Sequence, residues 1–280
     1  MNKGRCLCGR VRWQFEGKPL AAHHCHCKMC RKAHGAAFGT YYFLARNQFS
    51  WESELNTVAE YRSSSELGRA FCTTCGSVVP NDEDGGEHTY VPAGGHDHGP
   101  APDCHIFVAH KAPWFDITDE LPRHDEFPPG VHGSVQSEQV HDEPQPGKLR
   151  GSCLCGAVEF VVEEGFKVVH HCHCSRCRYA RAAAHTTNGF TSLDAVRFTK
   201  GEEHVKSYKV EDAKFFTHVF CDTCGSGLPR IDPGRGIAVT PLGALDDDPK
   251  ARAVDNIFVA HKAGWYDLTD DLPSFEEMPA

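Results

Sequence analysis

Fourteen of the fifteen cysteines in this 280-residue chain fall into one pattern, written twice. The first copy runs Cys6-x-Cys8, Cys25-x-Cys27-x-x-Cys30 and Cys72-x-x-Cys75. The second runs Cys153-x-Cys155, Cys172-x-Cys174-x-x-Cys177 and Cys221-x-x-Cys224. Pairs at this spacing fit on one tight turn, where two sulfurs can converge on one ion. The thiols of each copy divide into four plus three. Four thiolates complete a tetrahedral zinc shell, whereas three leave one position free. Disulfides and iron–sulfur clusters are the competing readings. Cys-x-Cys neighbours are poorly placed to bridge each other, and an odd total cannot pair fully. Zinc is therefore expected, with four ions per chain.

The closed sites are Cys6, Cys8, Cys72 and Cys75, and Cys153, Cys155, Cys221 and Cys224. Gly76 and Gly225 follow their last cysteines and suit the left-handed turn of a zinc knuckle. One ion would tie the start of a domain to its later half, so a structural role is expected here.

Cys25, Cys27 and Cys30 form one open site, and Cys172, Cys174 and Cys177 the other. His23, His24, His26, His170, His171 and His173 flank them. One imidazole could close the shell; an external thiol, water or substrate atom could fill it instead. Three thiolates leave a divalent ion with a net charge of about −1, which makes it a modest Lewis acid. Such a site suits a soft incoming thiol held as a nucleophilic thiolate, poised to attack a carbonyl carbon. Polarisation of the carbonyl oxygen is the other route. Lys28, Arg31 and Lys32, and Arg176, Arg178 and Arg181, follow the two sites. They could offset thiolate charge or orient a thiol such as glutathione, or simply form a solvated basic face. Cys104 aligns with Asp255 and reads as an incidental thiol.

The elements that must position these residues read as β. Val11, Trp13 and Phe15 alternate with polar residues, as do Val158, Phe160 and Val162. Residues 38–43, 58–61, 205–210 and 216–220 look like further short strands, and helical periodicity is weak. Residues 81–102, rich in Gly, His, Asp and Pro, read as a loop. The repeat offset is 147 residues at the early cysteines, 149 at Cys72 and Cys75, and 151 at the segment starting at Ile106. This means two whole domains with small insertions. The expected limits are residues 1–122, an acidic, Pro/Gly-rich linker at 123–148, and residues 149–280, with the domains side by side as a pseudo-dimer. Ala-His-Lys-Ala-x-Trp reads as a core strand with an aromatic anchor.

The net charge of −9 and the lack of a basic stretch argue against nucleic-acid binding. No apolar run approaches ~18 residues, so no membrane partner is expected. With no signal-peptide core, a cytoplasmic location is expected. Reducing cytosol in turn favours metal over disulfide.

These motifs resemble the glutathione-dependent formaldehyde-activating enzyme (GFA, CENP-V type) family. The resemblance rests on Gly4-Arg-Cys-Leu-Cys-Gly9, Cys25-His-Cys-Lys-Met-Cys30 and Phe71-Cys-Thr-Thr-Cys-Gly76. The second copy repeats them as Gly151-Ser-Cys-Leu-Cys-Gly156, Cys172-His-Cys-Ser-Arg-Cys177 and Phe220-Cys-Asp-Thr-Cys-Gly225. It implies an all-β, Mss4-like (β-tent) fold with two zincs per domain. It also implies carbon–sulfur lyase or synthase chemistry, joining glutathione and formaldehyde as S-hydroxymethylglutathione. The alternative is a non-catalytic, zinc-stabilised binding module on the same scaffold. The copies differ at Gly35/Ala182, Lys32/Tyr179 and His34/Arg181, where a change of pocket shape or charge is expected, with the first copy the better match.

Overall fold

The computed structural model describes residues 1–64, 67–82, 86–130 and 147–279. The first half carries β1 (Asn2–Arg5), β2 (Arg12–Phe15), β3 (Ala21–Cys25), α1 (Lys28–His34), β4 (Gly39–Ala45), β5 (Phe49–Trp51), β6 (Val58–Arg62), β7 (Gly68–Cys72), β8 (His88–Pro92) and β9 (Cys104–Ile106). The second half repeats the order. It carries β10 (Leu149–Ser152), β11 (Glu159–Val162), β12 (Val168–Cys172), α2 (Ser175–Arg181), β13 (Thr186–Ser192), β14 (Val196–Lys200), β15 (Val205–Lys209), β16 (Thr217–Cys221), β17 (Arg230–Asp232), β18 (Ile237–Pro241), β19 (Asp255–Ile257) and β20 (Ser274–Phe275). The fold is all-β in class. No described helix is long and apolar enough to cross a membrane.

Alternation drives the strands. In β2 and β11 every second residue is buried, so Trp13, Phe15, Phe160 and Val162 point inward. β1, β2 and β5 form one sheet, and β10, β11 and β14 its repeat. The larger sheets run β8-β4-β3-β9 and β17-β18-β13-β12-β19-β20. β9 pairs in parallel with β3, and β19 with β12, which sets the Ile106 and Ile257 segments beside Cys25 and Cys172. The hairpins β6-β7 and β15-β16 carry the later cysteine pairs.

Three expectations need correction. Residues 81–102 are not simply a loop, because β8 pairs with β4 from His88 to Pro92. The Ala-His-Lys-Ala segments are not strands either. β9 and β19 end at Ile106 and Ile257, and tight 3-10 turns follow at Val108–His110 and Val259–His261. Trp114 and Trp265 are nonetheless buried anchors. Residues 123–127, expected in the linker, run beside β9: His124 N–H donates to His105 O at 2.9 Å and Phe107 N–H to Glu126 O at 3.1 Å. Linker residues 131–146 lie outside the described residues.

One apolar core runs through both halves, uniting Trp13, Phe15 and Tyr42 with Phe160, Leu242 and Trp265. Their contacts are reciprocal. The end of α1 packs on the 3-10 turn Leu242–Ala244, and the end of α2 on the equivalent turn Ala93–Gly95. A Cβ on Gly243 would lie 2.3 Å from Ala36 N, and one on Gly94 2.1 Å from Ala182 C. Only glycine admits so close a backbone approach.

Candidate metal centres and thiol site

Each four-cysteine group joins the loop before β2 or β11 to the end of β7 or β16. Its four sulfurs lie within 4.8 Å of one another. Cys6 and Cys8 sulfurs are 3.5 Å apart, and Cys8 and Cys72 sulfurs 3.8 Å; the second copy gives 3.4 and 3.8 Å. A zinc–sulfur bond of ~2.3 Å in a tetrahedron separates its sulfurs by about 3.8 Å, so these donors fit the ion. All fifteen cysteines are free of disulfides. Val11 N–H donates to Cys6 Sγ, and Val158 N–H to Cys153 Sγ, at 3.4 and 3.2 Å. Such bonds hold thiolate charge. Ser77 and Ser226, fully buried, contact Cys75 and Cys224 sulfurs at 3.3 Å and accept Leu7 and Leu154 N–H bonds. Sequence reasoning missed these serines, although Cys-Gly-Ser stands in both copies.

The three-cysteine groups are built alike. Cys25 ends β3. Cys27 is the N-cap of α1, its sulfur accepting from Cys30 N–H at 3.4 Å. Cys172, Cys174 and Cys177 repeat this at β12 and α2. The three sulfurs of each group lie within 4.8 Å of one another, and no fourth described His, Cys, Asp or Glu joins either group. The helices missed by sequence periodicity therefore serve to bring the third sulfur back toward the first two. Ile106, Phe107, Phe127 and Tyr41 pack around the first group, and Ile257, Phe258 and Phe216 around the second. Phe107 and Phe258 hold positive φ of 58° and 60°. Left-handed backbone at a bulky residue is costly, and its repetition beside both clusters marks a constrained site.

The flanking histidines turn away. His24 Nδ1 bonds Thr40 Oγ1 at 2.8 Å and His171 Nδ1 bonds Thr187 Oγ1 at 2.9 Å. His26 Nε2 meets His105 Nδ1 at 2.8 Å, and His105 Nε2 meets Asp119 at 2.9 Å. His173 Nε2–H donates to Asn256 Oδ1 at 2.9 Å. His170 contacts Asp255 at 2.5 Å. Burial pushes His26 down to about 3 and His173 to about 4, which keeps both rings neutral. Imidazole closure of the open shells is thus not the arrangement found among the described residues. Three sulfurs with a vacant fourth donor direction can hold a soft metal and leave room for one exogenous sulfur.

The GFA family model, described as glutathione-dependent formaldehyde-activating enzyme, matches residues 1–110 and 148–261. The chain belongs to this family. A protein of Halomonas elongata, provisionally named a glutathione-dependent formaldehyde-activating enzyme, is 31% identical over 127 residues, covering 43% of this chain and 80% of that protein. A crystal structure of a Rhodobacter sphaeroides protein is 28% identical, with a TM-score of 0.29, and covers 35% of this chain and 87% of that one.

In this GFA-family chain three of the cations expected to orient a thiol, Lys28, Lys32 and Arg178, pair with carboxylates of the other half. Lys32 Nζ donates to Ser152 O and Ala244 O at 2.8 and 2.9 Å and pairs with Asp246 at 2.8 Å, all in the second half. Burial lowers its pKa to about 8 against the pull of Asp246. Lys28 reaches the same carboxylate at 3.5 Å. Arg178 pairs with Asp97 at 2.6 Å and donates to His96 O at 3.2 Å, in the first half. Arg31 is buried in α1, and Arg176 is exposed on α2. Lys28, Lys32 and Arg178 thus fasten the halves together. The copy differences lie at this same boundary. Tyr179 OH donates to Asp97 at 2.9 Å, His34 Nδ1–H donates to Arg181 O at 2.6 Å, and Ala182 packs on Gly94. A cation that reaches a three-cysteine group is Arg69, whose Nη2 lies 3.6 Å from Cys30 Sγ. It stands three residues before Cys72, a position sequence reasoning passed over.

Proposed function

We propose that the chain is a zinc-dependent carbon–sulfur lyase or synthase acting on thiol–aldehyde adducts, with glutathione and formaldehyde giving S-hydroxymethylglutathione. The observation that carries this reading is the contrast between cysteine groups: two offer four sulfurs each, and two offer three with no further described donor. Zinc in all four would give four ions per chain, two structural and two facing substrate. At the open sites zinc would supply a soft Lewis-acid centre that keeps a guest thiol as thiolate.

The chain supplies the rest. Cys25, Cys27 and Cys30, and Cys172, Cys174 and Cys177, are the proposed ligands of the open sites. Cys6, Cys8, Cys72 and Cys75, and Cys153, Cys155, Cys221 and Cys224, are those of the closed ones. Phe107, Phe127 and Ile106, and Phe258, Phe216 and Ile257, limit water around the sulfurs. In the synthetic direction glutathione sulfur bonds to the formaldehyde carbon. The carbonyl π pair moves to oxygen, which takes a proton to become the hydroxymethyl group. The reverse direction breaks that carbon–sulfur bond. The reciprocal contacts support an intramolecular pseudo-dimer. Fifteen free cysteines suit the reducing cytoplasm, and the charge of −9 favours small-molecule partners over nucleic acid.

The test combines metal analysis with nuclear magnetic resonance on carbon-13 formaldehyde and glutathione. Four zincs per chain and adduct formation above the uncatalysed rate support the reading. A Cys27→Ser, Cys174→Ser double variant that keeps the full rate sinks it.

A further inference from the structure

Three positions change together between the halves. His34, Arg69 and Val78 of the first align with Arg181, His218 and Gly227 of the second. An arginine and a histidine have exchanged elements, and a valine has become glycine.

In the first half Arg69 comes from β7 and is 7% exposed. Its Nη2–H points to Cys30 Sγ at 3.6 Å, its Nη1–H donates to Tyr41 OH at 3.3 Å, and its Nε–H to Ser63 Oγ at 3.1 Å. None of these partners is a carboxylate. His34, one helical turn after Cys30, is neutral in this network. Its Nδ1–H faces a carbonyl, so its Nε2 accepts from Tyr41 OH at 2.6 Å.

In the second half the strand position holds His218, whose Nδ1–H donates to Cys75 O at 2.7 Å. The guanidinium arrives from α2 instead. Arg181 lies one turn after Cys177, on the same face of α2. Its Nη1 is buried with no hydrogen-bond partner. It occupies the space over Gly227, where a Cβ would sit 1.0 Å from Nη1. Val78, buried, stands at that position in the first half, where no guanidinium has to pass.

The exchange preserves one feature, a guanidinium with no carboxylate partner among the described residues beside each three-cysteine cluster, Arg69 from β7 in the first half and Arg181 from α2 in the second. Arg230 of β17 pairs with Asp232 at 4.0 Å. Three thiolates on a divalent ion are already anionic, and an incoming thiolate adds another negative charge. In a poorly solvated site that repulsion is costly unless a cation stands nearby.

We propose that Arg69 and Arg181 are charge-balancing positioning residues of the two three-cysteine sites, each setting a cation against the negative charge that three sulfurs on a metal and an incoming fourth would carry. This rests on the proposed function above.

The test uses the full-length, zinc-loaded chain and the variants Arg69→Met, Arg69→Lys, Arg181→Met and Gly227→Val. The readouts are zinc release to a chelator, peptide-resolved alkylation of each cysteine cluster by iodoacetamide, and glutathione titration. Arg69→Met should release zinc from the Cys25–Cys27–Cys30 site about tenfold more readily, the size of one lost charge-assisted bond. It should also speed alkylation there and leave the second site unchanged. Arg69→Lys should stay near wild type, since the charge remains. Gly227→Val should reproduce Arg181→Met at the second site, because the new side chain evicts the guanidinium while both arginines stay in the chain. Should Arg69→Met fail to fold, this pair decides alone. Unchanged zinc release and alkylation in folded variants overturn the inference, as does Arg69→Lys behaving like Arg69→Met. A wild type that holds four zincs and ignores glutathione overturns the proposed function and leaves the charge readouts standing.

Discussion

Lys32 Nζ lies 2.8 Å from Asp246 Oδ1 across the boundary between the halves, with the two side chains only 4% and 5% exposed. The equivalent carboxylate of the first half, Asp97, is held at 2.6 Å by Arg178, the residue before the Lys32 equivalent Tyr179; Arg178 is 2% exposed but Asp97 is 56% exposed. The same clamp therefore has one dry end and one wet end. Removing one partner of a buried pair costs roughly 3–5 kcal/mol, whereas a solvated partner is worth less. Lys32→Ala should lose roughly 3 kcal/mol or more in urea unfolding, because it strands a buried carboxylate, and Asp97→Ala less, because Asp97 is solvated, although the buried Arg178 it leaves behind keeps His96 O as an acceptor. The opposite order would show that the clamp is not organised by burial. Lys32→Met with Asp246→Leu should regain part of the loss, because neither Lys32 nor Asp246 is then stranded, while the more exposed Lys28 loses its carboxylate.

Cys75→Ser and Cys30→Ser should separate fold from chemistry. Cys75 is fully buried and ties β7 to the start of the first half. Its loss should lower the melting temperature markedly, since structural zinc binding is folding free energy. Cys30 sits in a short helix at a satellite apolar cluster. Its loss should leave the melting temperature closer to wild type and weaken glutathione binding. Calorimetry and titration on the same preparations check both, and equal destabilisation would count against the division into closed and open sites.

Acid should weaken the fold through His34 and His96. Burial lowers both from 6.5 to about 4, with only partial help from backbone acceptors. His96 accepts from Trp13 Nε1–H at 2.9 Å, which requires a neutral ring nitrogen. Between pH 6.5 and about 4 the unfolded chain binds more protons than the folded one. Stability is therefore fully present above 6.5 and declines as pH falls through this window, by roughly 1 kcal/mol per pH unit for each group. Imidazole resonances of the folded, zinc-loaded protein should show no titration of these two residues above pH 5. Ordinary titration near 6.5 would disprove their burial.

Gly243→Ala and Gly94→Ala should loosen the contact between halves. Each new methyl group would meet backbone of the other half, at 2.3 Å from Ala36 N or 2.1 Å from Ala182 C. Backbone cannot rotate aside as a side chain can, so a loss of about 1–3 kcal/mol is expected. Small-angle scattering should show an enlarged particle. An unchanged profile with unchanged stability would mean that the helix ends do not press on these turns.

Cysteine spacing made the candidate metal centres legible because each pair or triplet of sulfurs sits on one local turn, and the repeat identified which turns belong together. The alternation around Trp13 and Phe160 made the first strands legible for the same local reason. β8 was hidden. Its residues have loop-like composition, and it is a strand because β4 offers it an edge, a context that propensity does not contain. Lys32 and Arg178, next to the clusters in sequence, were misleading. Proximity in sequence placed them beside the sulfurs, while the docking of the other half placed them against Asp246 and Asp97.

By itself, then, the sequence determined a duplicated cysteine framework, a β architecture and the division of thiols into fours and threes, since all of these follow from short-range spacing and its repetition. Only the tertiary structure decided which arginine meets which cluster and which histidines turn inward, and that the two copies close on each other through their helix ends. Those outcomes depend on side chains from distant segments competing for the same desolvated space, and no local pattern records the result.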